Sequence, residues 1–524
     1  MSDLTVMDWF CGAGGSSQGA HAVPGVRVGL AANHWERAIE SHAANFPDTD
    51  HYRGDIREAP VHRWPVSDIF WASPECPKWS NARGKKQDFA NSLQGELFGP
   101  ERDEETERSR ALMEEVPTYL RGVQDRGGLV LAGVVENVVD VRGWDQWDRW
   151  VGEIRALGYR TRLIALNSMH ADPRTVLRAP QSRDRLYLAY WHSSLRRDPD
   201  WDKWLRPRAW CETCGEVVQA VQVFKKQGAD MGRYRQQYVY RCPHTSCRNA
   251  VLEPEVLPAM AAIDWTLPGS RIGDRAGGLS EKTLARIRAG LERFARPMLV
   301  PAGGTWRNDA VPVDEPMPCR TTRENDALAI PPLLIPVEGR DGKEPGSAEF
   351  PLRTQTARNE TGLAWLPFIA ELRGGGSVAR SVRDALATVT ASGNHHGLVT
   401  PPAGQLPVQW ESLLVPYYGN GTARTVREPI GTLTTVDRYA LVRGLADIDI
   451  NDVLFRMLEP HEIGRGMAFG TRYQVLGNKR EKVRQYGNAV TPPVAEVIVS
   501  ALVEAIRGEE MERHAAPVEL VVAA

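Results

Sequence analysis

The sequence predicts an α/β fold built on an open, doubly wound sheet, with two further modules inserted behind it. The first apolar segment, Leu4–Phe10, runs directly into the glycine-rich turn Cys11-Gly12-Ala13-Gly14-Gly15. Short apolar segments then alternate with segments of helical spacing, as expected for βαβ units. Polar side chains follow several of these segments, and open α/β sheets place their chemistry at the carboxyl ends of strands.

The bulk composition is that of an ordinary globular protein. A chain of 524 residues is too long for one core, so we expect two or three domains. The 64 Lys and Arg nearly balance the 66 Asp and Glu, which neither supports nor excludes a nucleic-acid partner. No leader pattern and no membrane-length apolar run are recognisable, so we expect no membrane attachment. The seven cysteines, four of them tightly paired, indicate a reducing compartment and a metal site.

A second predicted strand, Val26–Ala32, ends in Asn33-His34-Trp35-Glu36. In a βαβ unit this strand end commonly holds the ribose and base of a nucleoside cofactor. Trp35 either stacks on an adenine ring or is a half-buried core residue, and the pattern alone does not decide. Asp55 ends a third short segment and is suited to accept a hydrogen bond from an exocyclic amine.

Cys76 lies in the turn Ser73-Pro74-Glu75-Cys76-Pro77, directly after the predicted buried strand Asp68–Ala72. The flanking prolines restrict the backbone and so fix the direction of the thiol. A single cysteine is more often a small buried hydrophobe than a nucleophile, so its neighbours must decide. The polar segment Lys78–Arg108 that follows is either a lid or a surface excursion.

A further predicted strand, Gly128–Val135, ends in Glu136-Asn137-Val138. A partly buried carboxylate there would have a raised pKa and could donate a proton near neutral pH. Arg183 and Arg185 precede the predicted strand Leu186–Trp191 and share one face. Considered in isolation, these arginines are more simply interpreted as residues that form ion pairs at the surface edge of the sheet.

These motifs together resemble the DNA (cytosine-5) methyltransferases. The resemblance rests on five motifs in the family's order: Asp8-x-Phe10-x-Gly12-x-Gly14-Gly15, Pro74-x-Cys76, Glu136-Asn137-Val138, Gln181-x-Arg183-x-Arg185 and Tyr486-Gly487-Asn488-Ala489-Val490-x-Pro492-Pro493. It covers the first half of the chain and its last stretch, and it implies a Rossmann-like methyltransferase domain over residues 1–205.

The resemblance also implies roles for individual residues. The residues expected to bind S-adenosylmethionine are Phe10, Gly12, Gly14, Gly15, His34, Trp35, Asp55 and Asn488. Cys76 matches the nucleophile, Glu136 the acid that contacts the base, and Arg183 and Arg185 the arginines that orient it. The family usually has glutamate before the tryptophan, where this chain has His34. Glu75 is an additional carboxylate beside Cys76, and it would raise the pKa of the thiol unless a cation compensates.

The implied activity is methyl transfer from S-adenosylmethionine to C5 of a cytosine flipped out of double-stranded DNA. We expect the chain to act as a monomer on DNA, in the cytoplasm of a bacterium or encoded by a phage. The alternatives are the same fold acting on RNA, transfer of a different one-carbon group, or a catalytically inactive DNA-binding relative.

Two cysteine pairs define an insertion over residues 206–258. Cys211 and Cys214, and then Cys242 and Cys247, have the arrangement of a zinc ribbon, which predicts a structural Zn²⁺ held by four thiolates. The second pair is widely spaced and encloses His244, which leaves open that His244 replaces one cysteine. The basic and aromatic residues between the pairs contact either DNA or solvent.

Residues 259–450 are expected to contain a linker helix and then a fourfold repeat of β-rich units, which runs from Arg296 to Val442. The units open at Leu299-Val300-Pro301, Leu334-Ile335-Pro336, Ile369-Ala370-Glu371 and Leu414-Val415-Pro416, continue through Thr-rich segments, and close on apolar steps such as Leu398-Val399. We expect one stacked β domain, and its position in the chain implies target recognition. Residues 451–524 are expected to form helices, Leu454–Ala468 and Val494–Ile506, that return to the first domain.

Overall fold

The structure is a computed structural model that describes residues 3–74, 104–195, 197–257 and 459–513, with short pieces between 259 and 284 and strands between 298 and 457. For residues 104–110 and the strands between 298 and 442, only the backbone is described. The chain divides into two compact units. One comprises Met1–Ala262, Pro351–Asn359 and Glu459–Ala524, and the other comprises Ile263–Phe350 and Glu360–Leu458. The finer division predicted from sequence stays a prediction.

A seven-stranded mixed sheet forms the centre of the first unit. Its strands are β1 (Leu4–Trp9), β2 (Val26–Asn33), β3 (Asp50–Arg53), β4 (Ile69–Ala72), β5 (Ala132–Asn137), β6 (Tyr159–Asn167) and β7 (Asp184–His192), in the order β3-β2-β1-β4-β5-β7-β6. The first five are parallel, and β7 runs antiparallel to both β5 and β6. The order reverses between β1 and β4, where open α/β sheets bind ligands.

Helices cover both faces of this sheet. They are α1 (Gly15–His21), α2 (Glu36–Asn45), α3 (Glu104–Asp125), α4 (Trp147–Ala156), α5 (Trp201–Leu205), α6 (Pro460–Gly466), α7 (Lys479–Asn488) and α8 (Pro492–Arg507). Successive residues of β4 enter different cores: Phe70 packs with α3 and α4, and Trp71 packs with α8. This alternation follows from the period of two in a strand and gives a three-layer fold.

Helix α8 closes one of these cores because two glycines of α1 let it approach. A Cβ on Gly15 would lie 1.9 Å from the Val490 carbonyl oxygen, and one on Gly19 would lie 2.2 Å from that of Pro492. By length and composition, the stretch Lys479–Arg507 would suffice to cross a membrane, but 94% of its apolar window is buried inside the fold. It therefore has the character of a core helix, which passes the same test.

The insertion forms two small sheets. One pairs β8 (Arg208–Cys211) with β9 (Glu216–Gln219), and the other has β11 (Tyr238–Arg241) between β10 (Val221–Phe224) and β12 (Val251–Leu252). We call residues 208–252 the ribbon. Its buried tyrosines pack with Ala165 of β6 and with Met169, so the ribbon shares a core with the end of β6.

The second unit repeats one pattern of three antiparallel strands. The central strands are β14 (Met298–Pro301), β17 (Leu333–Pro336), β20 (Phe368–Glu371) and β23 (Leu413–Pro416). Each pairs with a two-residue strand and with a longer closing strand; in chain order these are β15 (Val311–Pro312), β16 (Asp326–Ala329), β18 (Gly346–Ser347), β19 (Thr361–Trp365), β21 (Arg380–Ser381), β22 (His396–Val399), β24 (Arg424–Thr425) and β25 (Tyr439–Val442). The openings and closings predicted from sequence coincide with these strands, while the Thr-rich segments lie outside the described residues.

One predicted element is wrong. The segment Leu454–Met457 is a strand, β26, that pairs with β13 (Ser270–Arg271) and β19, and the helix begins only at Pro460. Both pairing partners lie nearly a hundred residues or more away in sequence, so local periodicity could not reveal this strand. The predicted helix Val494–Ile506 is confirmed as α8.

Candidate active site and metal site

Glu136 and Arg185 form an ion pair at one edge of the sheet. Arg185 Nε lies 3.1 Å from Glu136 Oε1, and the two side chains are only 18% and 12% exposed, Arg185 being the more exposed. They meet because β7 is antiparallel, so its first residues lie beside the carboxyl end of β5. Burial raises the pKa of Glu136, while Arg185 and then Arg183 oppose the shift.

Ser73 connects this pair to the turn that follows β4. Its hydroxyl accepts a hydrogen bond from Trp71 Nε1 at 2.9 Å and donates one to the Glu136 carboxylate. Pro74 is the last described residue before Cys76, so the predicted nucleophile lies outside the described residues. Most of the segment Lys78–Arg108 does as well.

Arg183 has different surroundings from Arg185. It is 3% exposed, and its guanidinium donates to the carbonyl oxygens of Gly487 and Ala489 at 3.2 and 3.1 Å. Burial lowers the pKa of Arg183 to about 9. These hydrogen bonds connect the C-terminal motif to the residue just before β7. The contact of Arg183 with a base stays a prediction.

The side chain of Asp8 stabilises the glycine-rich turn. This buried carboxylate accepts hydrogen bonds from Ser16 and Ser17 at 2.6 Å each, and burial raises the pKa of Asp8 to about 6. Phe10 has a φ of +60°, which is rare for a bulky residue and marks a backbone constrained by its surroundings. Gly12, at +53°, continues the left-handed turn.

A pocket lies at the carboxyl ends of β1, β2 and β3. Its lining comprises Phe10, Ala32, Asn33, His34, Gly54, Asp55, Ile56 and Leu112. Three residues proposed from the sequence thus lie on one pocket: Phe10, His34 and Asp55. The Asp55 carboxylate also binds Arg57, with Nη2 to Oδ2 at 2.6 Å.

Other residues proposed for the cofactor do not line this pocket. The Trp35 ring is covered by the Arg484 guanidinium, 4.6 Å from the ring centroid. Gly14 faces Tyr473, whose hydroxyl donates to the Ala13 carbonyl at 2.6 Å. Asn488 is exposed at the end of α7. Their roles in binding stay predictions.

Residues 4–203 match the family model described as C-5 cytosine-specific DNA methylase. This segment belongs to that family. We call residues 4–203 the methylase segment. No curated protein is similar enough in sequence to count as a match.

Solved structures similar to the chain include three methyltransferases. The Entamoeba histolytica methyltransferase EhMeth has 9% identity over 97% of this chain and 100% of its own, with a TM-score of 0.42. A mutant of Spodoptera frugiperda DNMT2 has 11% identity over 96% and 100%, with a TM-score of 0.43. A putative DNA modification methyltransferase encoded within an E. coli prophage has 13% identity over 97% and 100%, with a TM-score of 0.39.

In the ribbon, which follows the methylase segment in the chain, four cysteines lie close together. The Sγ atoms of Cys211, Cys214, Cys242 and Cys247 all lie within 4.8 Å of one another. A tetrahedral zinc site with Zn–S bonds of about 2.3 Å requires sulfurs about 3.8 Å apart, so the cluster fits this geometry. Cys211 ends β8 and Cys242 directly follows β11, so strand ends fix two of the ligands.

His244 lies beside this cluster. Its Nδ1 is 3.5 Å from Cys214 Sγ and 3.2 Å from Glu216 Oε1, and its side chain is 46% exposed. The four cysteines come together without it, which favours a site of four thiolates with His244 outside the ligand set.

Several contributors to the site were missed from the sequence. Ser73 and Asp8 belong to the quoted motifs, but nothing in their spacing shows which side chains they bind. Tyr473 and Leu112 come from segments far away in sequence, and they carry no motif. Only the folded chain brings them to the glycine-rich turn and the pocket.

Proposed function

We propose that this chain is a DNA cytosine C5-methyltransferase that uses S-adenosylmethionine and forms a covalent bond between Cys76 and C6 of a flipped-out cytosine. The observation that supports this most directly is the Glu136–Arg185 pair, with a pKa of Glu136 raised by burial, next to the turn that leads to Cys76.

The lining of the pocket at the ends of β1 to β3 suits the proposed cofactor. It combines an aromatic ring, Phe10, with the polar groups of Asn33 and Asp55. When bound, S-adenosylmethionine supplies an electrophilic methyl group. The chain's own contribution is to fix the turn, through Asp8 and its bonds to Ser16 and Ser17.

The proposed reaction needs three kinds of group from the chain. The Cys76 thiolate adds to C6 of cytosine and makes C5 nucleophilic. Glu136 donates a proton or hydrogen bond to N3 and so offsets the charge that develops on the ring. After methyl transfer, the C5 proton is lost and the thiolate leaves C6, which restores the aromatic ring.

The decisive experiment measures transfer of labelled methyl from S-adenosylmethionine to double-stranded DNA and, in parallel, to RNA. We expect transfer to DNA, and covalent trapping on DNA that contains 5-fluorocytosine. Cys76→Ala should abolish both, whereas Cys319→Ala, a cysteine outside every motif, should leave both intact. Transfer to RNA alone, or trapping that persists in Cys76→Ala, would refute the proposal.

We also propose that the four ribbon cysteines hold a structural Zn²⁺. Three of the four cysteines are buried and no ligand position is left to a substrate, as is typical of structural sites. Metal analysis of the purified chain should find about one zinc ion per molecule. Cys211→Ser should lose the metal and lower the thermal unfolding midpoint, while Cys319→Ser should do neither. A metal-free wild-type chain of unchanged stability would disprove the site.

For the repeated strands of the second unit, we propose target recognition on double-stranded DNA. Their place between the Arg-x-Arg and Gly-Asn motifs supports this role. Deletion of one repeat should change the sequence preference of methylation in an assay on a random DNA library. An unchanged preference with unchanged activity would contradict it.

A further inference from the structure

The ribbon contacts the methylase segment at the residue that separates the two arginines of the Arg-x-Arg motif. Asp184 Oδ1 accepts a hydrogen bond from the backbone N–H of Tyr234 at 3.1 Å and another from the Tyr238 hydroxyl at 3.4 Å. Both donors belong to the ribbon. The first residue of β7 is therefore held by the insertion.

The same residue also touches Arg185. The backbone carbonyl of Asp184 accepts a hydrogen bond from Arg185 Nη1 at 3.0 Å, while Arg185 Nε faces Glu136 at 3.1 Å. The Arg185 guanidinium is thus held between the Asp184 carbonyl and the Glu136 carboxylate. A shift of the Asp184 backbone would move the guanidinium relative to Glu136.

Strand β11 joins this contact to the cysteine cluster. Tyr238 is its first residue, and Cys242 directly follows its last. Four residues of strand span only about 13 Å. Tyr238 and Tyr240 are fully buried and pack with Cys211, Cys242 and Cys247 in one core, so the strand has little freedom to move on its own.

The ribbon has other contacts with the methylase segment that do not involve β7. Asp230 binds the Arg142 guanidinium, with Nη2 to Oδ2 at 3.0 Å, and Gln222 Nε2 donates to the Ala165 carbonyl at 2.8 Å. Arg233 pairs with Asp140. These contacts attach the ribbon, and they offer a control that separates attachment from an effect on the start of β7.

We propose that the ribbon positions the Arg185–Glu136 pair through Asp184, so that the metal site supports catalysis as well as the stability of the insertion. Asp184, Tyr234 and Tyr238 are positioning residues in this scheme, because they act on the pair through the backbone of β7. The expected effect on methyl transfer rests on the proposed function. The structural contact between the ribbon and β7 does not.

The test compares three variants of the full, metal-loaded chain in single-turnover methyl transfer to DNA. Asp184→Ala removes the acceptor for both ribbon donors and should slow transfer by about tenfold to a hundredfold, with little change in the KM for S-adenosylmethionine. Asp184→Asn keeps an acceptor and should restore most of the rate. Asp230→Ala weakens attachment of the ribbon elsewhere and should leave the rate near that of the wild type.

Hydrogen exchange provides a readout that needs no activity. In Asp184→Ala, and in the wild-type chain after zinc removal by a chelator, exchange should rise in residues 181–187 as well as in the ribbon, but not in β1 and β2. If the wild-type chain transfers no methyl group, the proposed function fails, while this measurement still tests the link. Exchange that rises in the ribbon alone, or equal rates for Asp184→Ala and Asp230→Ala, would overturn the inference.

Discussion

Arg185 Nε lies 3.1 Å from the Glu136 carboxylate, at an edge where the carboxyl end of β5 meets the start of the antiparallel strand β7. Two opposite effects act on this carboxyl group. Burial raises the pKa of Glu136, and the positive charge of Arg185 opposes that shift. Because the proposed role of Glu136 requires its protonated form, the pair sets the pH range in which the chain works.

Glu136→Gln should lower the single-turnover rate of methyl transfer by about 10²- to 10⁴-fold, because glutamine cannot supply a proton. In the wild type, the rate should fall as the pH rises through the raised pKa of Glu136. This alkaline limb should disappear from the residual activity of the variant. Glu153→Gln, on the surface of α4, is the matched control and should keep the wild-type profile. A Glu136→Gln variant with full activity would exclude Glu136 as the acid.

Ser73→Ala should move the alkaline limb of the pH–rate profile to higher pH. The Ser73 hydroxyl donates to the ionised Glu136 carboxylate and so lowers its pKa, and loss of this donor favours the protonated form. Ser73→Thr keeps the hydroxyl and should behave like the wild type. An alkaline limb that moves to lower pH in Ser73→Ala would contradict this hydrogen bond.

Gly15→Ala should destabilise the chain by about 1–3 kcal/mol or more, because the new Cβ would lie 1.9 Å from the backbone carbonyl oxygen of Val490. Gly152→Ala is the matched control. Gly152 lies in α4 with no atom within 4 Å of an added Cβ, and alanine should stabilise this helix by about 0.5–1 kcal/mol. Urea unfolding of both variants measures the difference. Equal stability of the two would show that α1 and the residues that lead into α8 do not pack as closely as described.

The sequence identified site residues where a polar side chain directly follows a predicted strand. Glu136 was found in this way, because the apolar segment before it predicts a strand whose carboxyl end lies at the edge of the sheet where such folds bind ligands. The antiparallel direction of β7 was not predictable, because a buried strand has the same apolar pattern in either direction. Asp184 and Ser73 were missed because their hydrogen-bond partners, Tyr238 and Glu136, come from segments more than fifty residues away.

The buried ring of His170, in the methylase segment, packs against the ribbon. The ring packs edge-to-face on Tyr234 and Tyr240, with centroids 4.3 and 5.0 Å away, and neither ring nitrogen has a hydrogen-bond partner among the described residues. Burial lowers the pKa of His170 to about 3, and the positive charges of Arg178 and Arg235 act in the same direction. His170 is therefore neutral in the folded chain at any moderate pH.

This burial makes stability depend on pH with a definite sign. In the unfolded chain, His170 binds a proton below a pH of about 6.5, whereas in the folded chain it does so only near pH 3. The unfolded state thus binds more protons in between, and stability falls as the pH falls from about 6.5 towards 3. At pH 5 the loss from this one group is about 2 kcal/mol.

His170→Phe should reduce this loss, because phenylalanine keeps the edge-to-face packing and cannot be protonated. Urea unfolding at pH values of about 7.5 and about 5 should show a smaller drop in unfolding free energy for the variant than for the wild type. His62→Phe, which changes an exposed histidine, should show the wild-type drop. If His170→Phe loses as much stability on acidification as the wild type, the His170 ring is protonated in the folded chain, and its packing between the two tyrosines is not as described.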